Sequence, residues 1–489
     1  MTASDIYTYH RPSKCGLRIT LKEKGVEGTA PGPYEQVLER LGKEHERRHL
    51  ASFPSVVDLS SGTLDERISR TKEAVGRRSP VIYQGVLRAD SVIGGTTCEI
   101  LGIPDFIILE DTGSYAVRDS KMSRRINEKH HPEIILQIGT YGWLFEQTFG
   151  EPPGRLRVYS GTGGIVDVPY DRGTAAVGVL DEILSFKLLT SEPYSPVGWS
   201  KCTACPFYGR CWPPAERNRD VAIIAGLDQG LACALREEGI TTVDNLLTSF
   251  DERSLGEFRR PVGKRVQRVG KKAESILRMA RALDSGEEIL MQTPSVPQSD
   301  NYVMFDLEGL PPHLDEFDKI YLWGMQVLGN KPSEYIAATA GFGDEGDRQG
   351  WEDFLEKAEN IFKHYGDIPF VHWHHYERVR LDMYIDRFGD PEGIAARVRA
   401  NLLDLLPITQ KSIALPLPSY SLKVIERYIG FERAQEEYGG DWAMAKYIEA
   451  TEMADERQRA EVMDEILRYN EEDLQATWAV LQWLKSKAS

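Results

Sequence analysis

The last third of the sequence contains acidic side chains in patterns that would place them on one face of a strand or of a helix. Asp306 and Glu308 stand two residues apart in NYVMFDLEGL, whose apolar character predicts a strand with both acids on one face. Tyr469 and Asp473 stand four residues apart in EILRYNEEDLQATWAVLQWL, a predicted helix that places them on one face. Glu377, in IPFVHWHHYERVRLD, is the acid expected between them in the chain. Four such carboxylates can hold two divalent ions, which supports in-line attack of an activated water on a phosphodiester.

A second set of candidate ligands lies in the first third of the chain. GIPDFIILEDTGSYAVRDSK predicts two strands joined by a turn, with Asp105 on the first and Asp119 and Lys121 on one face of the second. Two carboxylates can bind a divalent ion, and a nearby lysine can orient or deprotonate the attacking water. Gln137 and Tyr141 stand four apart in the predicted helix EIILQIGTYGWLFEQ. An ordinary surface ion pair between the aspartate and the lysine is the alternative interpretation.

Four of the six cysteines form a third candidate set. Cys202, Cys205 and Cys211 lie in KCTACPFYGRCW, a C-x2-C-x5-C pattern, and Cys15 in HRPSKCGLR is the candidate fourth ligand. The N-terminus has no apolar signal segment, so we expect a cytoplasmic, reducing environment in which these thiols stay reduced. Four thiolates suit zinc or an iron–sulfur cluster, and their spacing alone does not separate the two. Buried thiols that bind nothing are the alternative.

The motifs of about residues 1–215 resemble the RecB-like branch of the PD-(D/E)xK nucleases. The matching positions are His45, Pro104-Asp105, Asp119-Ser120-Lys121 and Gln137-x3-Tyr141. The resemblance implies a restriction-endonuclease-like α/β core. The histidine and the two aspartates would bind a divalent metal ion, and the aspartates, the lysine, the glutamine and the tyrosine would form the catalytic set. The four cysteines resemble those of AddB-type and CRISPR-adaptation nucleases, which implies a [4Fe–4S] cluster that stabilises the fold.

Residues 220–290 have a helical pattern that becomes basic in its second half. IAGLDQGLACALREEGITTVDNLLTS predicts helices on both sides of Glu238-Gly239-Ile240 and resembles a helix-hairpin-helix module, whose glycine turn presents N–H groups to phosphate. Between Asp251 and Ala280, nine basic residues face four acids and would extend a DNA-binding surface. The nine are Arg253, Arg259, Arg260, Lys264, Arg265, Arg268, Lys271, Lys272 and Arg278. A helical connector with a solvated charged face is the alternative.

Residues 300–489 resemble the YprB-like DEDD exonucleases, whose fold is ribonuclease H-like. The D-x-E strand, the Y-x3-D helix and the stretch PSYSLKVIERYIGFE carry this resemblance. It implies that the two acids of the strand, Glu377 (preferred over Asp382) and Asp473 bind Mg²⁺ or Mn²⁺. It further implies that Tyr469 orients the attacking water. The alternative for the helix is a solvated acidic end, since EEDL is common on helix surfaces.

Length and charge limit the classes of protein to which the chain can belong. The 489 residues include 59 basic and 75 acidic side chains, for a formal net charge of −16, which argues against a protein that coats nucleic acid by bulk charge. A local basic groove remains compatible with this balance. No apolar run approaches the ~20 residues that span a bilayer, and no membrane partner is expected. We expect an α/β multidomain protein with the three domains 1–215, 220–290 and 300–489.

Together these sets predict a metal-dependent DNA nuclease with two hydrolytic sites, a RecB-like site and a DEDD exonuclease site. Its expected substrate is single-stranded DNA, or DNA with single-stranded ends, in repair, recombination or defence. The alternatives are a structured-RNA exonuclease and a DNA-binding scaffold with one active site or none. The sequence contains no Walker A motif, G-x4-G-K-[ST], so a separate helicase is the motor partner expected by family analogy.

Overall fold

The computed structural model describes residues 1–195, 198–262, 265–311, 318–341, 343–435 and 439–488. Lys264, one of the nine predicted basic residues, lies outside them. The chain is mixed α/β and divides into two compact units. The first comprises Met1–Pro31, Glu35–Val197 and Lys201–Cys211, and the second Gly32–Tyr34, Gly198–Ser200 and Trp212–Ser489. The segment that sequence analysis treated as a separate middle domain therefore falls within the second unit.

Helices and short strands alternate from the N-terminus to Arg217. The helices are α1 (Ser4–His10), α2 (Gly16–Glu23), α3 (Pro33–Ala51), α4 (Leu64–Gly76), α5 (Pro132–Phe149), α6 (Thr174–Lys187), α7 (Trp199–Cys202) and α8 (Tyr208–Arg217). The strands are β1 (Val57–Asp58), β2 (Val81–Tyr83), β3 (Leu87–Ile93), β4 (Thr96–Gly102), β5 (Phe106–Leu109), β6 (Tyr115–Lys121), β7 (Arg155–Ser160) and β8 (Ile165–Val168). A six-stranded sheet has the order β1-β2-β5-β6-β7-β8, while β3 and β4 form a separate hairpin.

The predicted strand pair of this region is the centre of its sheet. β5 and β6 are antiparallel, and β6 is parallel to β7. Ile107, Val117 and Val158 are fully buried in the core that these strands share with α5. α5 begins with Pro132 at its first position and ends at Gly150, whose φ of +80° is readily adopted only by glycine. The sheet thus fixes the position of Asp119 and Lys121, and the helix fixes the position of Gln137 and Tyr141.

The middle segment combines short helices with a β-ribbon. Its elements are a 3₁₀ turn (Val221–Ile223), α9 (Gln229–Glu237), α10 (Val243–Ser249), α11 (Glu252–Glu257), β9 (Arg259–Val262), β10 (Arg265–Arg268), α12 (Lys272–Ser285) and β11 (Ile289–Leu290). The prediction of helix throughout is wrong for β9 and β10, which pair as an antiparallel ribbon. Pro261 explains the difference, because its ring disfavours helical geometry at Arg260 and it has no N–H to donate.

The C-terminal part contains a five-stranded sheet of order β14-β13-β12-β15-β16. Its strands are β12 (Asn301–Leu310), β13 (Lys319–Gly329), β14 (Ile336–Thr339), β15 (Phe370–His372) and β16 (Leu402–Asp404), while β17 (Ile413–Ala414) pairs with β11. Its helices are α13 (Gly343–Tyr365), α14 (Tyr376–Phe388), α15 (Ile394–Ala400), α16 (Leu405–Ser412), α17 (Leu422–Tyr428), α18 (Gly440–Glu452) and α19 (Glu456–Ser486). β12, β13 and β14 are antiparallel, and β15 and β16 are parallel to β12.

The alternation of β12 separates a packed face from an acidic one. Val303, Phe305 and Leu307 point into the hydrophobic core together with Trp323 of β13 and Phe354 of α13. Met304, Asp306 and Glu308 alternate with them and point to the opposite face, where α19 packs. In the residues that the structure describes, no helix is both long and apolar enough to cross a membrane.

Removal of the Phe354 ring is expected to destabilise the C-terminal fold. Phe354 is fully buried and stacks on Trp323 with a centroid separation of 4.4 Å. The substitution Phe354→Ala should lower the free energy of unfolding by about 3–5 kcal/mol, measured by urea denaturation. Val379→Ala is the control, because Val379 is 51% exposed and its loss should change stability by less than about 0.5 kcal/mol. Equal effects of the two changes would contradict this assignment of the core.

Candidate active sites

Three carboxylates come together on the acidic face of β12. Asp306, Glu308 and Asp473 each place an oxygen within 4.8 Å of the others, and this is the only such metal-ligand group in the described part of the chain. The first two lie on the central strand and the third on α19. Carboxylate oxygens suit hard cations such as Mg²⁺ and Mn²⁺, so the donor set fits the metal predicted from the sequence.

A glycine in the neighbouring strand lets α19 approach this face. A Cβ at Gly324 would lie 1.7 Å from Oδ1 of Asn470, so a larger residue there would displace the Asn470 side chain. Asn470 Nδ2 donates to Oδ2 of Asp306 at 2.7 Å, and its Oδ1 accepts from the Tyr335 hydroxyl at 2.8 Å. Tyr469 and Asp473 lie one turn apart on the same helix. The close packing of β13 and α19 thus orients the carboxylate of Asp306.

Two cations that sequence analysis did not assign lie beside the three acids. Arg433 donates through Nη2 to Asp473 at 2.5 Å, and through Nε and Nη2 to Glu426 at 2.8 Å each. Lys423 is close enough to Asp473 and Glu308 for their charges to act on it, and its Nζ lies 5.3 Å from the centre of the Tyr469 ring. The SLK stretch that contains Lys423 was the available signal. Arg433 stands in FERAQEEY, where no spacing distinguished it.

The predicted third acid, Glu377, lies outside the group of three. It is buried at the start of α14, and its Oε2 lies 3.0 Å from Nδ1 of His372. Burial raises the pKa of Glu377, and its charge contributes to the raised pKa of Asp306. Asp382 instead forms a partly exposed ion pair with Arg399. Asp404 caps α16 through the N–H of Leu406 and also accepts from the N–H of His374.

Burial and mutual repulsion control the ionisation of these acids. Burial, followed by the charges of Asp473 and Glu377, raises the pKa of Asp306 well above its usual value. Burial, followed by the charges of Asp306 and Asp473, does the same for Glu308. The pKa of Asp473 is raised by burial although Arg433 opposes the change. Without a further positive charge, the site therefore favours protonated carboxyls.

The predicted N-terminal residues also form a compact arrangement. Lys121 Nζ lies 2.7 Å from Oδ2 of Asp119, and Asp105 accepts from the N–H of Ser120 at 2.7 Å. Burial alone would lower the pKa of Lys121, but the charges of Asp119 and Asp105 outweigh it and raise that pKa. Tyr141 feels both aspartates, since burial and then their charges raise its pKa well above the usual value. Gln137 donates to the Tyr141 hydroxyl at 3.1 Å.

Glu46 is an acid of this region that the sequence analysis missed. Its Oε1 accepts at 2.8 Å from both the Tyr83 hydroxyl and Nε2 of Gln84, and Gln84 Nε2 also donates to Asp105 at 3.1 Å. Burial, Asp119 and then Glu46 raise the pKa of Asp105 well above its usual value. Only its place in helix α3, directly after the predicted ligand His45, could have drawn attention to it.

His45 itself contacts a neighbouring strand. Its ring stacks on Tyr159 of β7 with a centroid separation of 4.5 Å, and its Nε2 lies 3.3 Å from the Tyr159 carbonyl oxygen. Burial lowers the pKa of His45, which favours the neutral ring that a metal ligand requires. In the described residues it belongs to no group of three close ligand atoms. Its role as a metal ligand stays a prediction.

The four predicted cluster ligands line one pocket in the first unit. They are Cys15, Cys202, Cys205 and Cys211, and none of the four is in a disulfide. Leu17, Leu21 and Phe207 give the pocket apolar walls. Burial raises the pKa of the Cys15 thiol, and burial with the neighbouring thiols raises that of Cys211 to about 11. Loading a metal group here must therefore displace protons from the thiols.

The C-terminal residues match a known family. The model of a family described as the RNase_H superfamily matches residues 303–485, which span all five strands of the C-terminal sheet and the three close acids. Residues 303–485 are a ribonuclease H-like domain. No curated protein matches the chain. A solved structure titled "Crystal structure of SSO0001" matches at 18% identity, with 36% of this chain and 97% of that chain covered and a TM-score of 0.20.

The ribonuclease H-like domain confirms one part of the expected architecture. The chain is an α/β protein whose last third has this fold. The match of this domain to the superfamily suggests a nuclease-type activity. The acidic group of Asp306, Glu308 and Asp473 is present in the domain as a candidate divalent-metal site. The restriction-endonuclease-like core and the helix-hairpin-helix-like module stay predictions.

Divalent metal is expected to stabilise the ribonuclease H-like domain more at high pH than at low pH. Raised carboxyl pKa values mean that the metal-free fold loses stability as pH rises from about 4 through those values. A bound Mn²⁺ ion removes that loss, because it stabilises the charged carboxylates. The rise in Tm on adding Mn²⁺, measured by differential scanning fluorimetry, should therefore be larger at about pH 8 than at about pH 5.5.

The double substitution Asp306→Asn/Asp473→Asn provides the matched control. It removes two of the three repelling acids, so the metal-free variant should be more stable than the wild type at about pH 8. The part of the Mn²⁺ response that belongs to this site should disappear. A response that persists unchanged in the variant, or that is the same at both pH values, would contradict the assignment.

Proposed function

We propose that the protein is a metal-dependent nuclease that hydrolyses phosphodiester bonds of DNA at the ribonuclease H-like domain. The observation that carries this proposal is the buried group of Asp306, Glu308 and Asp473, whose oxygens lie within 4.8 Å of one another in a domain of this superfamily. Carboxylates so close and so buried require positive charge to ionise. Bound Mg²⁺ or Mn²⁺ would supply that charge and would stabilise the attacking and leaving oxygens of the phosphodiester.

The side chains around this group have separate tasks in the proposed reaction. Asp306 and Glu308 would hold the metal from the central strand, and Asn470 keeps the Asp306 carboxylate in one orientation. Tyr469, on the same helix as Asp473, orients the attacking water through its hydroxyl, whose raised pKa keeps its proton in place. Arg433 balances the charge of Asp473 and holds it at the edge of the site. Glu377 completes the acidic set from α14, with His372 as its partner.

A second hydrolytic site is proposed in the first unit. Asp105 and Asp119 would bind a divalent ion with His45, and Lys121 would orient or deprotonate the attacking water. The 2.7 Å contact between Lys121 and Asp119 supports this arrangement, because the lysine is already held beside the acids that would bind the metal. The proposed substrates are single-stranded DNA and DNA with single-stranded ends, with a separate helicase as partner. Hydrolysis of structured RNA is the second candidate activity.

Variants of the two sites should separate their activities. We expect Lys121→Ala and Asp306→Ala each to remove a different set of products from end-labelled DNA in Mg²⁺ or Mn²⁺. Each loss should be about 10²–10⁴-fold in rate, and the double variant should be inactive. Asp382→Asn is the control, because Asp382 lies on α14 near Glu377 in sequence but pairs with Arg399. It should leave both sets of products unchanged.

The outcomes distinguish a nuclease with two active sites, a nuclease with one active site and a binding scaffold. If Lys121→Ala changes nothing and Asp306→Ala abolishes all cleavage, the first unit binds nucleic acid without cutting it. If the double variant still cleaves at the wild-type rate, neither site produces the cleavage, which contradicts the proposed function and leaves a binding scaffold as the alternative for this chain. The same assay with end-labelled RNA tests the second candidate activity.

A [4Fe–4S] cluster is the group that we propose for the four-cysteine pocket. Four thiols with apolar walls fit the Cys₄ ligation of such clusters. In the described residues no three of the sulfur atoms lie within 4.8 Å of one another. Tetrahedral zinc, with Zn–S bonds of about 2.3 Å, is the alternative group for the same four thiols. By joining Cys15 to ligands that lie 187 residues later, the cluster would restrict the unfolded chain.

Metal analysis tests this proposal directly. Protein purified without oxygen should contain about four iron and four acid-labile sulfide atoms per chain. Cys15→Ser should lose both and lower the Tm, while Cys233→Ser, at an isolated cysteine, should keep both. One zinc atom per chain without sulfide would contradict the proposal.

A further inference from the structure

The β9–β10 ribbon presents a basic outer face to solvent. Because directly paired residues of antiparallel strands share a face, Arg259 lies beside Arg268, and Pro261 lies beside Val266. All four residues are exposed, and Val266 is 66% exposed. Two arginines therefore stand on either side of the same ribbon end, next to a small apolar patch. Like charges placed directly opposite destabilise a ribbon, so this pairing has a cost in the free protein.

The opposite face anchors the ribbon to the rest of the unit. Arg260 points to that side, where its side chain is only 12% exposed and its Nη1 lies 2.6 Å from Asp228, the N-cap residue of α9. The ribbon is thus held against α9 by a partly buried contact that leaves the other face available. Arg268 has one carboxylate nearby, Glu257, in an exposed ion pair of 2.9 Å. Such exposed pairs contribute at most about 1 kcal/mol, so an anionic ligand can replace Glu257.

The glycine turn that sequence analysis favoured for phosphate binding is acidic. Gly239 joins α9 to α10 with a φ of +79°, but Glu237 and Glu238, directly before it, are exposed, while Asp244 is paired with Arg219. The two carboxylates directly before the turn would repel a phosphate. The ribbon, followed by exposed Lys271 and Lys272, has the opposite charge. In a chain of net charge −16, this local reversal of sign is the feature that suits a polyanion.

We infer that the outer face of the β9–β10 ribbon, and not the glycine turn, binds the phosphodiester backbone of the nucleic-acid substrate. This inference rests on the proposed nuclease function, since it names the surface that holds the same substrate. Arg259 and Arg268 contact phosphates and relieve their mutual repulsion, while Pro261 and Val266 pack against the sugar. The major groove of a duplex is also wide enough to admit a two-stranded ribbon. Both single-stranded and duplex DNA can therefore bind to this face.

Binding without cleavage tests the inference independently of catalysis. The probes are fluorescein-labelled 20-mer single-stranded and duplex DNA, titrated with the full chain in EDTA and followed by fluorescence anisotropy at several salt concentrations. Arg259→Gln/Arg268→Gln should raise the Kd at least tenfold. It should also reduce the slope of log K against log salt by about 1.4 for single strands or about 1.8 for duplexes, the values for two lost phosphate contacts. The probe with the larger change identifies the preferred form of DNA.

Three controls make the result decisive. Arg457→Gln/Arg459→Gln on α19 removes the same charge from two exposed positions, one of them also in an exposed ion pair, and should leave the Kd unchanged within twofold. Arg259→Lys/Arg268→Lys keeps the charge and should keep the salt slope. Glu238→Gln at the glycine turn should change the Kd by less than twofold.

Failure of this inference and failure of the proposed function give different results. The inference is overturned if the ribbon double variant binds both probes like the wild type, or loses no more affinity and slope than the α19 control. Since the substituted residues are exposed, the Tm of the ribbon double variant should equal that of the wild type. Loss of binding together with a lowered Tm, in both the glutamine and the lysine double variants, would also count against the inference. If the wild type binds in EDTA through the ribbon but never cleaves with metal, the proposed nuclease function fails and the binding surface stands.

Discussion

The burial of three mutually repelling carboxylates is the constraint on which the C-terminal half of the molecule depends. Asp306, Glu308 and Asp473 lie close together on one face of β12, where burial and like charge both oppose ionisation. A fold stabilises such an arrangement only if its other face supplies enough packing. That face carries Phe305 and Leu307 in a fully buried aromatic core. Because side chains alternate along β12, one face of this strand contributes packing and the other carries the candidate metal ligands.

The surroundings of the acids moderate this repulsion without removing it. Arg433 is shared between Asp473 and Glu426, which leaves less than one full positive charge for the group of three. Lys423 is itself disfavoured as a cation, because burial lowers its pKa. The site therefore retains a demand for positive charge. This demand is the physical reason why a divalent ion fits the site better than a further buried arginine would.

The two units bring their acidic groups together with different supports. In the first unit, Lys121 is held next to Asp119 at the end of β6, and Tyr141 approaches both aspartates from α5. A strand pair and one helix are enough to bring these groups together. The thiols of the same unit come from distant parts of the chain and meet in an apolar pocket. Burial raises the pKa of the Cys15 and Cys211 thiols, so a metal group bound there would have to displace their protons.

Local patterns in the sequence determined the strand that carries Asp306 and Glu308, the helix that carries Tyr469 and Asp473, and the pairing of β5 with β6. Each depends on periodicity within one element, which neighbouring residues already encode. The tertiary structure alone decided that Arg433 and Asn470 join the acids, that Glu377 pairs with His372, and that Glu46 approaches Asp105. It also decided that 259–262 and 265–268 pair as a ribbon. Contacts between distant elements depend on packing, such as the approach that Gly324 permits, and no spacing along the chain records them.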